Sequence, residues 1–377
     1  MQSCQTMADG FDVRTTEISA TAIEFARISR TPGVTPHIAA IGVATPTQDY
    51  HQLYIDWAES RLSKERDRTL FRRMAARAGI EHRWSVLEPI TDFYTGDRFP
   101  STRTRMEAYA AAAPRLALSA AADLAEKTTL DGVTHLVMAS CTGFVAPGID
   151  QILAAELGLV DVERTLIGFM GCYAAVPALR TAHHIVRSDP KARVLVIAVE
   201  LSSLHLQEDN ELQPLLAGLL FGDGAAAALV CAEPQGLALS NFSSQCLPNS
   251  QDLIRWAIGD QGFVMHLSGE VPGRIRHALE RPELRQKLLG DLDPATLDAW
   301  AVHSGGRTVL DAVEDGLELS PQALNVSRQV LRDCGNMSSA TLMFILSRQL
   351  ERRAKTGLAL AFGPGLAAEG FHFRRAG

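Results

Sequence analysis

Residues 165–179, Thr165-Leu166-Ile167-Gly168-Phe169-Met170-Gly171-Cys172-Tyr173-Ala174-Ala175-Val176-Pro177-Ala178-Leu179, change character at Gly171. Up to Met170 they form a short apolar run that reads as a strand. From Ala175 onward, Ala175, Leu179, Ala182 and Val186 recur at the spacing of one helix face. Gly171-Cys172 thus marks a strand-to-helix junction, with a thiol at the mouth of a helix.

The same texture extends in both directions. Upstream, His37 to Thr45 predicts a strand, Met106 to Lys127 a long and largely buried helix, His135 to Ser140 a strand and Gly148 to Leu159 a helix. Downstream, Ala192 to Glu200 and Gly224 to Ala232 read as strands buried on both faces. Leu297 to Val302 predicts a strand ending at His303, followed by a helix over Gly305 to Leu319. Cys334-Gly335-Asn336 closes one helix and opens another, Ser338 to Arg353, before a last strand, Gly357 to Phe362, and the turn Gly363-Pro364-Gly365. Such alternation predicts an α/β protein. A chain of 377 residues without a Gly/Ser/Pro linker accommodates two tightly packed halves, read here as 36–235 and 236–377, behind a loosely ordered extension over 1–35.

Thirty-six Lys and Arg against 43 Asp and Glu leave a net charge of −7, so the whole chain offers no field to gather nucleic acid, and any anion site is local. The longest apolar stretches, such as Val194 to Val199, fall far short of the ~20 residues of a membrane-spanning helix. The first 35 residues lack the apolar core of a secretory signal, and a cytoplasmic location is expected. The six cysteines (4, 141, 172, 231, 246 and 334) form no Cys-x-x-Cys pair, which argues against a disulfide framework and a metal site.

Three chemically capable residues stand at strand ends or helix starts, where open α/β sheets collect ligands: Cys172, His303 and Asn336. Together they could build an acyl-transfer site. A helix N-terminus and a nearby imidazolium can lower a thiol's pKa from about 8.5 to roughly 3.5–7.5, while an imidazole and a carboxamide can hold a carbonyl oxygen as it becomes anionic. Taken singly, each also has a plain reading: a small buried hydrophobe, a hydrogen-bonded core histidine, an ordinary helix stop and start.

The surrounding motifs narrow the choice. Gly168-Phe169-Met170-Gly171-Cys172-Tyr173-Ala174, His303-Ser304-Gly305-Gly306, Gly335-Asn336-Met337-Ser338-Ser339-Ala340 and Phe362-Gly363-Pro364-Gly365-Leu366 resemble, in order and spacing, the motifs of type III polyketide synthases, the chalcone synthase-like family, in its bacterial type. The resemblance runs from about Pro36 to Phe373. It implies a thiolase-like fold of two packed αβαβα halves, a homodimer, acyl-CoA starter and malonyl-CoA as substrates, and no metal or redox cofactor. It also implies that Cys172 carries the acyl chain, and that His303 and Asn336 bind the malonyl thioester carbonyl so that loss of carbon dioxide leaves an enolate.

Further positions follow from the same resemblance. Phe221 matches a gatekeeper aromatic between the CoA tunnel and the cavity, whereas Met265 stands where plant enzymes carry a second one. Cys141, Thr142, Ser202, His205, Trp256 and Ser338 match cavity-lining positions; Cys141 reads as a small wall residue or a second nucleophile. Ala146 matches the loop that reaches into a partner's cavity and is smaller than the plant methionine. Arg73 and Arg77, four apart on one helix face, match positions that meet the CoA phosphates, with Leu70 at a third such position and Arg307 as an extra basic residue. Met265 and Ala146 point to a long fatty acyl starter and an alkylresorcinol or alkylpyrone product. The alternatives are a tetrahydroxynaphthalene- or phloroglucinol-forming synthase using malonyl-CoA alone, a β-ketoacyl-carrier-protein synthase III, and, remotely, a papain-like cysteine hydrolase.

Overall fold

The structure, a computed structural model, describes residues 33–94 and 99–377. Nearly all of the N-terminal extension expected over 1–35, and Cys4 within it, lies outside the described residues. The strands are β1 (His37–Ala44), β2 (Gln48–Asp49), β3 (Trp84–Ser85), β4 (His135–Ser140), β5 (Glu163–Gly168), β6 (Val194–Leu201), β7 (Asp223–Cys231), β8 (Leu237–Cys246), β9 (Ile254–Gly259), β10 (Gly262–Leu267), β11 (Ala299–Val302), β12 (Thr356–Gly363) and β13 (Ala367–Arg375). Nine of them form one mixed sheet in the order β11-β12-β13-β8-β1-β7-β6-β4-β5. Its two parts meet where β1 pairs β8 through only His37 with Ala238 and Ile38 with Leu237.

Apolar patterning sets the layers. β6 and β7 are buried along their whole length, as runs without polar alternation require. One face of the first part packs on helix Thr102–Ala125 through Ala113, Ala117, Ala120 and Leu124. The opposite face packs on helices Ala175–Ser188 and Ser339–Glu351, whose Leu179, Ala182, Leu342 and Ile345 share one cluster with residues of both parts of the sheet. Helices Val271–Leu279 and Arg307–Leu317 cover the outer face of the second part. The result is a thiolase-like α/β fold with α-β-α-β-α layering, in which each half supplies one of the central helices.

Differences from the expected elements have local causes. The long helix starts at Thr102 rather than Met106 because the Ser101 side chain accepts a hydrogen bond from the Thr104 N–H and caps it. The strand read from Thr165 is β5, shifted to Glu163–Gly168; it lies at the sheet edge with Leu166 51% exposed. Among the described residues no helix is long and apolar enough to cross a membrane.

Helix Thr102–Ala125 rests directly on β1 at Gly42. A Cβ there would lie 2.2 Å from the Leu124 N and 2.3 Å from the Ala120 O, both backbone atoms that cannot swing aside. Gly42→Ala is therefore expected to cost about 3 kcal/mol or more of unfolding free energy in a denaturant titration; a change below about 0.5 kcal/mol would contradict this packing.

Candidate active site

Three separate elements deliver the three residues. Cys172 lies in the short 3-10 turn Gly171–Tyr173, between β5 and helix Ala175–Ser188. Gly171 adopts a φ of 77°, and a Cβ on it would meet the Pro364 ring at 2.4 Å. A Cβ on Gly363 would meet the Tyr173 ring at 2.7 Å and the Cys172 N at 3.3 Å. These two glycines let the Gly363-Pro364-Gly365 turn close on the cysteine turn. His303 follows β11, its N–H bonded to the Leu360 O at 2.8 Å. Asn336 pairs with Phe221 as an isolated parallel bridge: the Asn336 N–H donates to the Leu220 O at 2.8 Å, and the Gly222 N–H to the Asn336 O at 3.0 Å.

The asparagine carboxamide has one orientation available. Its Oδ1 accepts from the Ser338 N–H at 2.8 Å, made possible by a φ of 46° at Ser338, so its Nδ2 faces the Gly305 O at 3.4 Å and the Cys172 Sγ at 4.0 Å. His303 is buried, and neither ring nitrogen has a hydrogen-bond partner among the described residues. Burial pushes its pKa down to about 3, so the ring is neutral. Burial pushes the Cys172 thiol up to about 11; Glu200 pushes the same way, while hydrogen bonds from Ser338 and Asn336 pull it back.

That direction is opposite to the lowering expected from helix and imidazolium. The cysteine sits in the turn ahead of the helix rather than in its first turn, and His303 forms no ion pair with it. What the arrangement supplies is a protected thiol, a neutral imidazole carrying one N–H and one lone pair, and a carboxamide N–H aimed at the sulfur. Such a set can accept an acyl group and steady an oxyanion beside it.

Around the sulfur, the residues expected to line a cavity hold one another. The Cys141 Sγ accepts from the Gly171 N–H at 2.9 Å, and burial pushes its thiol well up, so Cys141 anchors the nucleophile turn. The Thr142 hydroxyl donates to Glu200 at 2.9 Å and accepts from the Leu201 N–H at 2.8 Å, tying β4 to β6. Ser202 is buried in the 3-10 turn Ser202–His205. Glu200, which the sequence reading passed over, also accepts from the Cys141 N–H at 3.0 Å and from the Ser339 hydroxyl. Its signal was there: a carboxylate inside the apolar run Val194 to Leu201 needs a reason.

An aromatic stack was also missed. Phe263 lies face to face with His205 at 4.3 Å and edge-on to Trp256 and Phe169 at 5.8 and 5.6 Å. The Trp256 Nε1–H donates to the Cys141 O at 2.9 Å, and β9 and β10 place Trp256 directly opposite Met265. His205 accepts at Nδ1 from the Phe263 N–H (3.0 Å), which leaves Nε2–H to donate to the Thr142 O (2.7 Å). The indole thus fills room beside the half-buried Met265; Phe221 is also half-buried. Arg73 and Arg77 are exposed on helix Glu65–Arg77 and enter no ion pair among the described residues. The Arg307 guanidinium reaches the Arg77 O at 3.3 Å and pairs with Asp311 at 3.7 Å; Leu70 and Met74 are exposed on helix Glu65–Arg77. Ala146 is exposed in the loop after β4.

Nearly the whole chain resembles known proteins. Residues 24–234 match the family model for the N-terminal domain of chalcone and stilbene synthases, and residues 238–376 match that for their C-terminal domain. The chain is 36% identical to type III polyketide synthase C of Arabidopsis thaliana over 65% of its own length and 68% of that protein's. It is 34% identical to an alpha-pyrone synthesis polyketide synthase-like protein of Mycobacterium tuberculosis, over 63% and 64% of the two lengths. The crystal structure of a polyketide synthase, PKS-I, from the brown alga Ectocarpus siliculosus superposes with a TM-score of 0.82 at 29% identity, covering 92% of this chain and 99% of that one.

Glu200 makes the site's pH response testable. Burial pushes its pKa up to about 7 from an ordinary 4.5, against the pull of its hydrogen bonds to Ser339, Cys141 and Thr142. Between these two values the folded protein holds a proton that the unfolded chain has lost, so this group's contribution to stability declines as pH rises through that window and levels off above it. Glu200→Gln is expected to flatten the fall of melting temperature between about pH 5 and pH 7, with a ceiling of about 3 kcal/mol. Identical slopes for the two proteins would refute the shift.

Proposed function

Because the chain belongs to the chalcone and stilbene synthase family and is a type III polyketide synthase, an acyltransferase, we propose that Cys172, His303 and Asn336 perform its condensation chemistry. The observation that carries this reading is the Asn336 Nδ2 aimed at the Cys172 sulfur, its oxygen already committed to Ser338. The neutral His303 ring takes the thiol proton as the acyl-CoA thioester arrives; sulfur attacks the carbonyl and CoA leaves as its thiol. Malonyl-CoA then places its thioester oxygen against the His303 N–H and the Asn336 Nδ2. Carbon dioxide departs, the electron pair of the broken bond becomes the enolate, and the enolate carbon attacks the Cys172 thioester, releasing the cysteine as the chain grows by two carbons. Loss of carbon dioxide drives the step without a metal, a redox cofactor or ATP.

On this reading Arg73, Arg77 and Arg307 meet the CoA phosphates, and Phe221 with Met265 borders the passage inward. The product assignment is a fatty acyl starter closed to an alkylpyrone or alkylresorcinol, supported by the relative named for alpha-pyrone synthesis. A second reading, a naphthalene or phloroglucinol product from malonyl-CoA alone, is favoured by the Trp256, His205 and Phe263 stack, which fills space a long chain would need. A homodimer with a cytoplasmic location completes the proposal: β5 is an edge strand with Leu166 exposed, a face that a second copy can cover.

Cys172→Ala is expected to abolish acyl loading by intact-mass analysis while the fold persists; product formation at the wild-type rate would reject the assignment. Mass analysis of products from acyl-CoA starters of increasing length, each with malonyl-CoA, separates the two product readings. Trp256→Gly is expected to raise turnover of long starters about tenfold relative to short ones. An unchanged ratio would remove the stack from chain-length control.

A further inference from the structure

The segment Glu81-His82-Arg83-Trp84 is sewn to the end of the helix that precedes Asn336. The Glu81 and His82 N–H groups donate to the Arg332 O at 2.8 and 3.1 Å, and the Trp84 Nε1–H to the Asp333 O at 2.9 Å. Between them Arg83 is wholly buried, with no carboxylate ion pair among the described residues. Its Nε–H donates to the His51 Nδ1 at 2.9 Å, its Nη1 to the Gly218 O at 2.7 Å and the Phe221 O at 3.0 Å, and its charge lies 4.5 and 4.6 Å from the ring centres of Tyr50 and Tyr54. The Tyr50 hydroxyl donates to the same Phe221 O at 2.5 Å. The arginine stem runs along Gly335, where a Cβ would sit 2.9 Å from the Arg83 Cγ.

The buried Asp223 carboxylate feels the Arg83 charge but forms no ion pair with it, and the Arg83 Nη2 has no hydrogen-bond partner among the described residues; a guanidinium so sparsely paired is costly to bury, so its place calls for something an apolar side chain of like volume cannot do. Here one nitrogen draws two carbonyls together, those of Gly218 and Phe221, and so shapes the turn between them. The Leu220 O of that turn is the acceptor for the Asn336 N–H. We propose that Arg83 is a positioning residue for enolate formation: by holding the Gly218–Phe221 turn and flanking Gly335, it sets the backbone from which Asn336 presents its Nδ2. This deepens the functional reading above and rests on it. Arg83 touches neither the cysteine turn nor its anchor Cys141, so acyl loading and decarboxylation should respond differently to its loss.

The test uses the full chain with two assays: acylation of Cys172 by decanoyl-CoA, followed by intact mass, and release of labelled carbon dioxide from malonyl-CoA. For a folded Arg83→Met, acylation is expected within about threefold of wild type, while carbon dioxide release falls about tenfold or more in kcat, with KM for malonyl-CoA within about twofold. Arg83→Lys, which keeps a donor but not the fork, is expected to recover part of that loss. Equal losses in both assays, or unaltered carbon dioxide release, would overturn the role. If Arg83→Met does not fold, Tyr50→Phe carries the test, since it removes a donor from the same carbonyl: a loss of about threefold confined to carbon dioxide release supports the role, and an unchanged ratio of the two rates overturns it. A wild-type protein inert in both assays would reject the functional reading, and the role of Arg83 with it.

Discussion

Two backbone hydrogen bonds, Asn336 N–H to Leu220 O and Gly222 N–H to Asn336 O, join parts of the chain more than a hundred residues apart. Much of the site's geometry depends on that bridge. It fixes the backbone of Asn336 at the end of helix Asn325–Cys334, and Ser338 in its left-handed conformation then turns the carboxamide so that nitrogen faces the sulfur. It also locks the Leu220 carbonyl beside Phe221, so that Phe221 and Asn336 share one rigid frame. Preorganisation of this kind is what makes a neutral donor useful against developing charge, because no reorganisation is required as the charge appears.

Burial dominates the electrostatics. With Cys172 and His303 removed from water and no ion pair between them, the thiol and the imidazole each favour their neutral forms. The nearby Glu200 is pushed toward neutrality for the same reason, yet donors from Cys141, Thr142 and Ser339 converge on it. Its carboxyl group ties Cys141, Thr142 and Ser339 together, so the segment after β4 and a central helix meet at one polar group. Cys141 in turn receives the Gly171 N–H, which explains a buried sulfur at that position without giving it a reaction of its own.

Some of this was legible in the chain and some was not. The junction at Gly171-Cys172, the strand ending at His303 and the helix break at Gly335-Asn336 could be read because glycine and polar residues interrupt apolar runs of clear period. Arg83 and Tyr50 could not, since a single arginine and a single tyrosine in a polar stretch look like surface residues until packing buries them. The aromatic stack escaped for a related reason. Trp256 and Phe263 lie on the paired strands β9 and β10, whereas His205 comes from the turn after β6 and Phe169 from the end of β5, and no local pattern announces that they meet.

By itself the sequence determined the alternation of strands and helices, the burial of β6 and β7, and the family, because these depend on residue type and spacing along the chain. Only the tertiary structure decided which nitrogen of Asn336 faces the sulfur, that His205 stacks on Phe263, and that Arg83 lies under the Phe221 carbonyl. Those outcomes rest on distances between segments far apart in the chain, and such distances are set by how layers of helix and sheet close on one another.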